Sequence, residues 1–502
     1  MRMPNFEFVH LDRPGDEKKH STKIRRHVMK DIGLSRRKPK KRGETTVARV
    51  TPRAAAAAAA AGPSSSGQAQ SGQTLLPLPN PTDDCRLSGV IFPIRMTEER
   101  RSLSEFVFAE AKAHYFPFRT PWLPLGLSDE AAWYITMAYA VVFKYGNAGS
   151  LKSGYRAIDE AERFYTLSIQ SISTRLKDPK QRRNEGLISA ITGFVCHDNS
   201  IGNFYRQDIH LDGLRILIEE IGGINKITND VLRLMISWYD LTSASYRNSR
   251  PYFAVPSGSI IEIDTDTRYF ELLLDNGCPH LDGIQDALKA TAGVARYVNR
   301  RCQKPGFWKE DIVAAQLLAP ALHAVLSLED CVLPSNPHHT SFSGIIARET
   351  FKRGALVFLA LVKAKFNGTV FELSQHLNAF RRLASIPQVN WDLARELNLW
   401  AHTIVALEEG GNRRDCYISV IVGIMNNAHY TSSKQVLDVV RGIIWIEDIF
   451  GNKVESLCHE IDSLLASSRR IPLRPTPRMD PLPVYPITPE SREPSVESCR
   501  SL

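Results

Sequence analysis

Hydrophobic residues recur with the spacing of α-helices over most of the chain. We expect Ser128 to begin one helix as its N-cap, because the apolar residues Trp133, Met137 and Val141 follow at intervals of four. Only Gly258–Thr265 has the alternating, β-branched character of a strand, and it is short. Similar helical patterns cover 98–116, 155–176, 280–302, 310–327, 350–365, 371–386, 391–408 and 435–466. The sequence therefore predicts an all-α body.

Two further helices form a predicted αα-hairpin. Asp208 is expected to begin the first helix, and Gly222-Gly223 to end it as a C-cap. Asp230 is expected to cap the second helix, which stops before Arg250-Pro251. No exact repeat of about 20–50 residues is present. We therefore expect an irregular helical bundle or stacked αα-hairpins rather than a regular solenoid.

Composition divides the chain into four predicted regions. Residues 1–53 form a basic arm with a short helix and an import-like signal, and residues 54–89 form a low-complexity linker that contains eight consecutive alanines. Residues 90–468 form the helical body, and residues 469–502 form a tail that contains eight of the 29 prolines. The arm, linker and tail bury too little apolar surface to fold alone, so we predict that they are disordered.

Positive charge is concentrated in the arm. The 502 residues carry a net charge of +9, and residues 1–53 hold sixteen Lys and Arg against six Asp and Glu. The remaining 449 residues are therefore close to neutral. The densest run comprises Arg36, Arg37, Lys38, Lys40, Lys41 and Arg42. Such a run is typical of a nuclear-import signal or a nucleic-acid patch, although a solvated stretch that serves only solubility has the same composition. We predict a nuclear protein that binds an import receptor through this run and either contacts DNA through the arm or reaches DNA through a partner.

A short helix is predicted just before this run, between Ser21 and Gly33. Its apolar residues, from Ile24 onward, recur every four positions on one face, while Arg25, Arg26 and Lys30 lie off that face. The apolar face is expected to dock on protein, and the three cations are expected to contact phosphates. Because isolated helices shorter than about 12–15 residues are marginal in water, the helix should form only on a partner or on the body.

The sequence lacks the spacings that mark common catalytic and metal sites. The closest two of the eight cysteines are 24 residues apart, which excludes zinc-finger and iron–sulfur spacings. His459-Glu460 lacks the second histidine of HExxH, and Gly146–Ser153 departs from a phosphate-binding loop. The longest apolar run, Ala131–Phe143, has thirteen residues and is too short to cross a bilayer. We predict no enzyme, no metal, no cofactor and no membrane partner.

One set of residues carries a resemblance to a known family. The segments His210-Leu-Asp-Gly213-Leu214, Gly222-Gly223, Asp240 and Arg250-Pro251-Tyr252-Phe253 are similar to the H-x-x-G-L, GG, D and RP-x-F core of the fungal-specific transcription factor domain. The chain's opening, Phe6-Glu7-Phe8-Val9 followed by basic sequence, resembles that of many filamentous-fungal regulators. This domain is the helical middle region of zinc-cluster regulators. The resemblance implies a helical regulatory domain over most of 90–460 and nuclear residence.

The same residues also have a structural explanation, because two amphipathic helices closed by Gly-Gly and stopped by Arg-Pro would show the same pattern. The residues that we assign to this motif are His210, Gly213, Leu214, Gly222, Gly223, Arg250, Pro251 and Phe253. The chain lacks the six closely spaced cysteines with which zinc-cluster regulators read DNA. The resemblance therefore carries no DNA-reading element over to this sequence.

Together these features predict a nuclear transcriptional regulator of fungal type that controls a metabolic gene set. DNA would be engaged through the basic arm or through a partner, and grooves of the body would take a protein partner, a second copy or a small effector. One alternative is a nuclear helical scaffold or cofactor that does not bind DNA. Another is an all-α enzyme whose site the motifs do not reveal; it would need buried carboxylates or histidines lining a pocket.

Overall fold

The computed structural model describes residues 87, 89–108, 118–145, 151–256, 258–262, 283–329, 331–386, 389–392 and 394–470. The chain divides into two units, Met1–Ser88 and Gly89–Leu502, and every helix given below belongs to the second. Regular structure in the described residues is helical throughout, with no β-strand, so the predicted all-α class is confirmed. The strand-like pattern at 258–265 does not form a strand over residues 258–262, which have no regular structure.

Seven helices make up the first half of the described body. In chain order they are α1 (Glu98–Phe108), α2 (Arg119–Leu127), α3 (Glu130–Tyr145), α4 (Leu151–Arg175), α5 (Glu185–Ser200), α6 (Phe204–Ile221) and α7 (Asp230–Arg247). The helix α3 lies at the centre and packs against α1, α2, α4 and α5. Its sequence explains this position, because apolar residues surround its axis and Trp133, Ile135 and Met137 are fully buried.

The second half has another central helix. Its helices are α8 (Ile284–Arg301), α9 (Asp311–Leu326), α10 (Phe342–Lys365), α11 (Leu373–Ala384), α12 (Arg395–Glu408), α13 (Asn412–Asn427), α14 (Ser433–Ile443), α15 (Glu447–Phe450) and α16 (Val454–Arg470). The helix α10 is buried along most of its length and packs against α9, α11 and α12. Gly354 permits the close crossing of α10 and α12, because an added Cβ would lie 2.8 Å from that of Ala401.

The two halves are joined through α9. This helix packs against α7 on one side and against α8 and α10 on the other. At its start, the Asp311 carboxylate accepts a hydrogen bond of 2.5 Å from the backbone N–H of Phe118, the residue that begins α2. Phe118 has a positive φ of 60° and is buried against Tyr239. The start of α2 is therefore anchored on the start of α9.

Several predicted helix starts are wrong by a few residues. Asp129, rather than Ser128, caps α3 and accepts from the N–H of Ala131 at 2.9 Å. The helix α6 begins at Phe204, not at Asp208, because the Asn203 side chain caps it. Asn229, not Asp230, caps α7. Asn and Asp are comparable capping residues, so sequence alone does not choose between neighbouring candidates.

Other differences concern whole elements. Patterning missed α2, α5 and α13, and it merged α14, α15 and α16 into one helix over 435–466. The merged pattern breaks because the backbone is extended at Ile444 and Ile446, where the Ile444 carbonyl accepts from the indole N–H of Trp400 at 2.8 Å. The helix α5 escaped detection because it is buried on nearly all sides and has no polar face.

Candidate functional site

The predicted motif residues lie along the hairpin of α6 and α7. His210, Leu214 and Phe253 are buried. Gly222 ends α6 with φ of 97°, and the N–H of Gly223 returns to the Ile218 carbonyl, as a C-cap requires. Arg250 is exposed and pairs with Glu329 at 3.1 Å.

Two positions in the motif have different physical explanations. Asp240, at the centre of α7, accepts from the backbone N–H of Phe253 at 2.8 Å, and this bond fixes the Arg-Pro-Tyr-Phe segment against the helix. Gly213 has no such contact, because an added Cβ would meet nothing within 4 Å. The hairpin geometry therefore accounts for Asp240 but does not require a glycine at 213.

His210 belongs to a buried polar cluster that sequence reasoning missed. We define the polar cluster as Tyr165 of α4, His197 and Asp198 of α5, and Arg206 and His210 of α6. The Asp198 side chain is 0% exposed and Arg206 is 12% exposed. Three helices thus place one carboxylate, one guanidinium, one phenol and two imidazoles in the interior.

Asp198 is the hub of the cluster. Its Oδ1 atom accepts from Arg206 Nε at 2.9 Å and lies 3.1 Å from His197 Nδ1. Its Oδ2 atom accepts from the Tyr165 hydroxyl at 3.2 Å, and that hydroxyl lies 2.7 Å from His210 Nε2. The Arg206 guanidinium also lies over the Tyr165 ring, 4.1 Å from its centroid. Each member of the cluster is held by at least one other.

The electrostatics of the cluster favour one charged pair. Burial alone would raise the pKa of Asp198, but the His197 hydrogen bond and the positive charge of Arg206 outweigh it and hold the pKa below its ordinary value. Burial lowers the pKa of His210 to about 4 despite the nearby carboxylate. Burial also raises the pKa of Tyr165 well above its ordinary range. At neutral pH the cluster therefore contains Asp198⁻ and Arg206⁺ with a neutral His210 and a protonated Tyr165.

This arrangement joins α4, α5 and α6 rather than presenting a reactive group. The carboxylate is fully buried and its oxygens are occupied by Arg206, His197 and Tyr165. A second buried contact, 2.8 Å between Cys196 Sγ and the Tyr239 hydroxyl, links α5 to α7. Burial raises the pKa of the Cys196 thiol to about 12, so it is not a thiolate nucleophile.

An open, charged groove lies in the second half of the body. Its volume is about 500 Å³, and it is lined by Leu377, Glu408, Glu409, Gly410, Asn412 and Arg413. Glu409 is buried and accepts from the Tyr417 hydroxyl at 2.5 Å and from Arg381. Glu408 pairs with Lys453 at 2.9 Å. The carboxylates of the groove are thus engaged within the protein.

In the part of the chain that the structure describes, no three His, Cys, Asp or Glu side chains are grouped so that they could hold a metal ion. Over the same residues, no helix combines the length and apolar character that a membrane crossing needs.

The predicted sites of the arm lie outside the described residues. These are Arg36, Arg37, Lys38, Lys40, Lys41 and Arg42 of the import-like run, and Arg25, Arg26 and Lys30 of the short helix. Their roles stay predictions, as do the four region boundaries.

The signal for the polar cluster was present in the sequence but weak. Cys196-His197-Asp198 is polar at the end of an apolar stretch, and Arg206 and His210 follow at helical spacing. Tyr165 lies 33 residues before Asp198, so pattern reasoning could not bring the two together.

Comparison with known proteins gives one match. Residues 104–285 match the family model described as the fungal specific transcription factor domain. The match runs from within α1 to the start of α8, so it contains the polar cluster and the hairpin, and the sequence resemblance is confirmed over these residues. No curated protein and no solved structure matches the chain.

Proposed function

Because residues 104–285 carry a fungal specific transcription factor domain, we propose that this protein is a nuclear transcriptional regulator of fungal type. The family match is the observation that carries the proposal, since it supports a role in transcription regulation. The basic arm supplies import and phosphate contacts, and the helical body supplies the surfaces for a partner, a second copy or an effector. The regulated genes are a metabolic set.

The import assignment is tested in living cells. Replacing all six cations from Arg36 to Arg42 with alanine leaves the body untouched and should move a fluorescent fusion to the cytoplasm. The control replaces Lys18 and Lys19, two cations of the same arm that lie outside the run. Unchanged nuclear accumulation of the six-alanine variant would discard the assignment.

The role in transcription is tested by transcript profiling. Deleting the gene should change transcript levels of a limited set of genes, and re-expressing the full chain should restore them. The six-alanine variant should not restore them, because it would be excluded from the nucleus. A deletion that leaves the transcript profile unchanged under every growth condition tested would remove the regulatory role.

The scaffold alternative differs in its affinity for DNA. An arm that neutralises about four phosphates should give the purified chain a log–log dependence of DNA affinity on salt with a slope of about −3.6. A scaffold that never binds DNA should show no salt-dependent affinity. Engagement through a partner would show the slope only when that partner is present.

We also propose that the chain is not an enzyme. The polar cluster is the feature that an enzyme of this fold would need, with a carboxylate beside two histidines. However, Asp198 is 0% exposed and is ion-paired to Arg206, so a substrate could not reach its oxygens without opening the cluster. The cluster therefore favours a structural role in the regulatory domain.

A further inference from the structure

A short strap crosses the second half of the body. The strap comprises residues 258–262, and the N–H of Ile260 donates to the Gln316 carbonyl of α9 at 2.9 Å. At Gly293 of α8, an added Cβ would come within 2.6 Å of the Glu262 carbonyl oxygen. A glycine within a helix costs about 0.5–1 kcal/mol relative to alanine. The close approach of the strap explains why α8 has one there.

The strap places a carboxylate against two arginines at the end of α8. Glu262 pairs with Arg300 through Oε2, and its Oε1 lies 3.5 Å from Arg301 Nη1. The Glu262 side chain is only 16% exposed, whereas those of Arg300 and Arg301 are 58% and 47% exposed. Two guanidinium groups that converge on one anion match the way arginine binds phosphate oxygens.

Lys304 and Lys309 follow this pair within eight residues, and Lys365 lies over the ring of Trp308. We define the basic corner as Arg300, Arg301, Lys304, Lys309 and Lys365, which come from the C-terminal ends of α8 and α10 and from the loop between α8 and α9. Lys304 lies 3.7 Å from Glu310, and Lys365 lies 3.2 Å from Asp448. Helix C-termini attract cations, which accounts for part of the clustering, but Lys304 lies beyond the end of α8.

Two of these cations, Arg301 and Lys365, lie over the faces of aromatic rings. The Arg301 guanidinium lies 4.0 Å from the centroid of the Tyr297 ring, and Lys365 Nζ lies 5.6 Å from that of Trp308. Phe307 lies between these rings, 6.3 Å from Tyr297 and 5.1 Å from Trp308. Cation–π contacts of this kind hold a long side chain in place while leaving its charge outward.

We propose that the basic corner binds the phosphate backbone of DNA, and that Glu262 occupies the Arg300–Arg301 pair until a phosphate group displaces it. A nucleic acid fits the composition of the corner, because protein–DNA interfaces are strongly positive whereas protein–protein interfaces are depleted in lysine. The strap carboxylate acts as an internal competitor for the same guanidinium groups. This inference rests on the proposed function only in naming DNA as the nucleic acid.

The experiment measures binding of the full chain to a labelled duplex by fluorescence anisotropy over a series of NaCl concentrations. Glu262→Gln removes the competing charge, so DNA affinity should rise. The slope of log K against log salt should change little, because the two arginines neutralise the same phosphates in the bound state of both proteins. Adding Arg300→Ala and Arg301→Ala to Glu262→Gln should reverse the gain in affinity and make the slope shallower by up to about 1.8, because two phosphates then keep their counterions. A control, Lys177→Ala with Lys180→Ala, removes two exposed cations from a loop of the first half and should leave affinity and slope unchanged.

A second variant guards against misfolding of the first. Gly293→Ala should push the strap away from α8 and reproduce the effect of Glu262→Gln, with the helical signal retained. Unchanged DNA affinity in both Glu262→Gln and Gly293→Ala overturns the inference. So does a loss of affinity in the lysine control as large as the loss caused by Arg300→Ala with Arg301→Ala. Binding of Glu262→Gln to polyglutamate but not to DNA overturns it in favour of an acidic protein partner. Import and transcript changes that depend on the arm would survive any of these failures, so the proposed function is tested separately.

Discussion

Removing Asp198 should destabilise the matched domain more than any surface substitution. In Asp198→Ala, Arg206 would remain in the interior with its side chain 12% exposed; it would lose its buried carboxylate partner and keep the more exposed Glu162 carboxylate at 3.7 Å. Breaking a buried ion pair by deleting one member costs about 3–5 kcal/mol. The midpoint of thermal unfolding should therefore fall by on the order of 10 °C.

The assay is the far-UV circular dichroism of the full chain during heating. A double-mutant cycle of Asp198→Leu, Arg206→Met and the double variant isolates the coupling energy of the pair. Asp198→Leu combined with Arg206→Met replaces both charges with apolar groups, and it should cost much less than Asp198→Ala. The matched control is Asp230→Ala, which breaks an exposed pair with Arg233 at the start of α7 and should have no measurable effect.

Two results would refute this reasoning. If Asp198→Ala changed the midpoint no more than Asp230→Ala, the polar cluster would not hold α4, α5 and α6 together. If the losses in the double variant were simply the sum of the two single losses, the two residues would act independently and the pair would carry no coupling energy.

Three further predictions concern single positions. His210 has a folded pKa of about 4 against an ordinary value of 6.5, so the unfolded state gains its proton first as the pH falls. The free energy of unfolding should therefore decrease by up to about 3 kcal/mol between pH 6.5 and pH 4. Urea melts of His210→Gln should lack this loss. Burial raises the pKa of Asp240 to about 6, so the folded state binds its proton more tightly than the unfolded state does. Asp240→Asn should therefore raise the melting temperature at about pH 7.5, and this gain should shrink as the pH falls through 6 toward 4. Gly213→Ala should stabilise the chain by about 0.5–1 kcal/mol because its Cβ meets nothing, whereas Gly354→Ala should destabilise it through the 2.8 Å approach to Ala401; equal effects in thermal melts would contradict this.

The fold class was predictable because most helices carry a local apolar stripe. Leu211, Leu214 and Ile218 mark one face of α6, and Gly222 marks its end, where φ is 97°. The helix α5 lacks such a stripe because it is buried on nearly all sides, and burial on all sides depends on neighbours that are distant in sequence. Local pattern therefore predicts amphipathic helices and misses central ones.

The candidate site was predictable only in part for the same reason. His210 drew attention as a motif residue, but its role comes from Tyr165 and Asp198, which are 45 and 12 positions away in the chain. The role of Asp240 likewise depends on the hydrogen bond that it accepts from the N–H of Phe253, which lies beyond the end of its helix. The strap carboxylate of Glu262 lies 38 residues from Arg300 and has no sequence signature at all.

Chromatin immunoprecipitation of the tagged full-length protein tests most directly whether the protein regulates transcription. The comparison is the variant in which alanine replaces Arg36, Arg37, Lys38, Lys40, Lys41 and Arg42. A regulator should occupy discrete sites near the genes whose transcripts change on deletion, and the variant should lose that occupancy. Uniform background signal from a full-length protein that is present in the nucleus would contradict a role in transcription regulation.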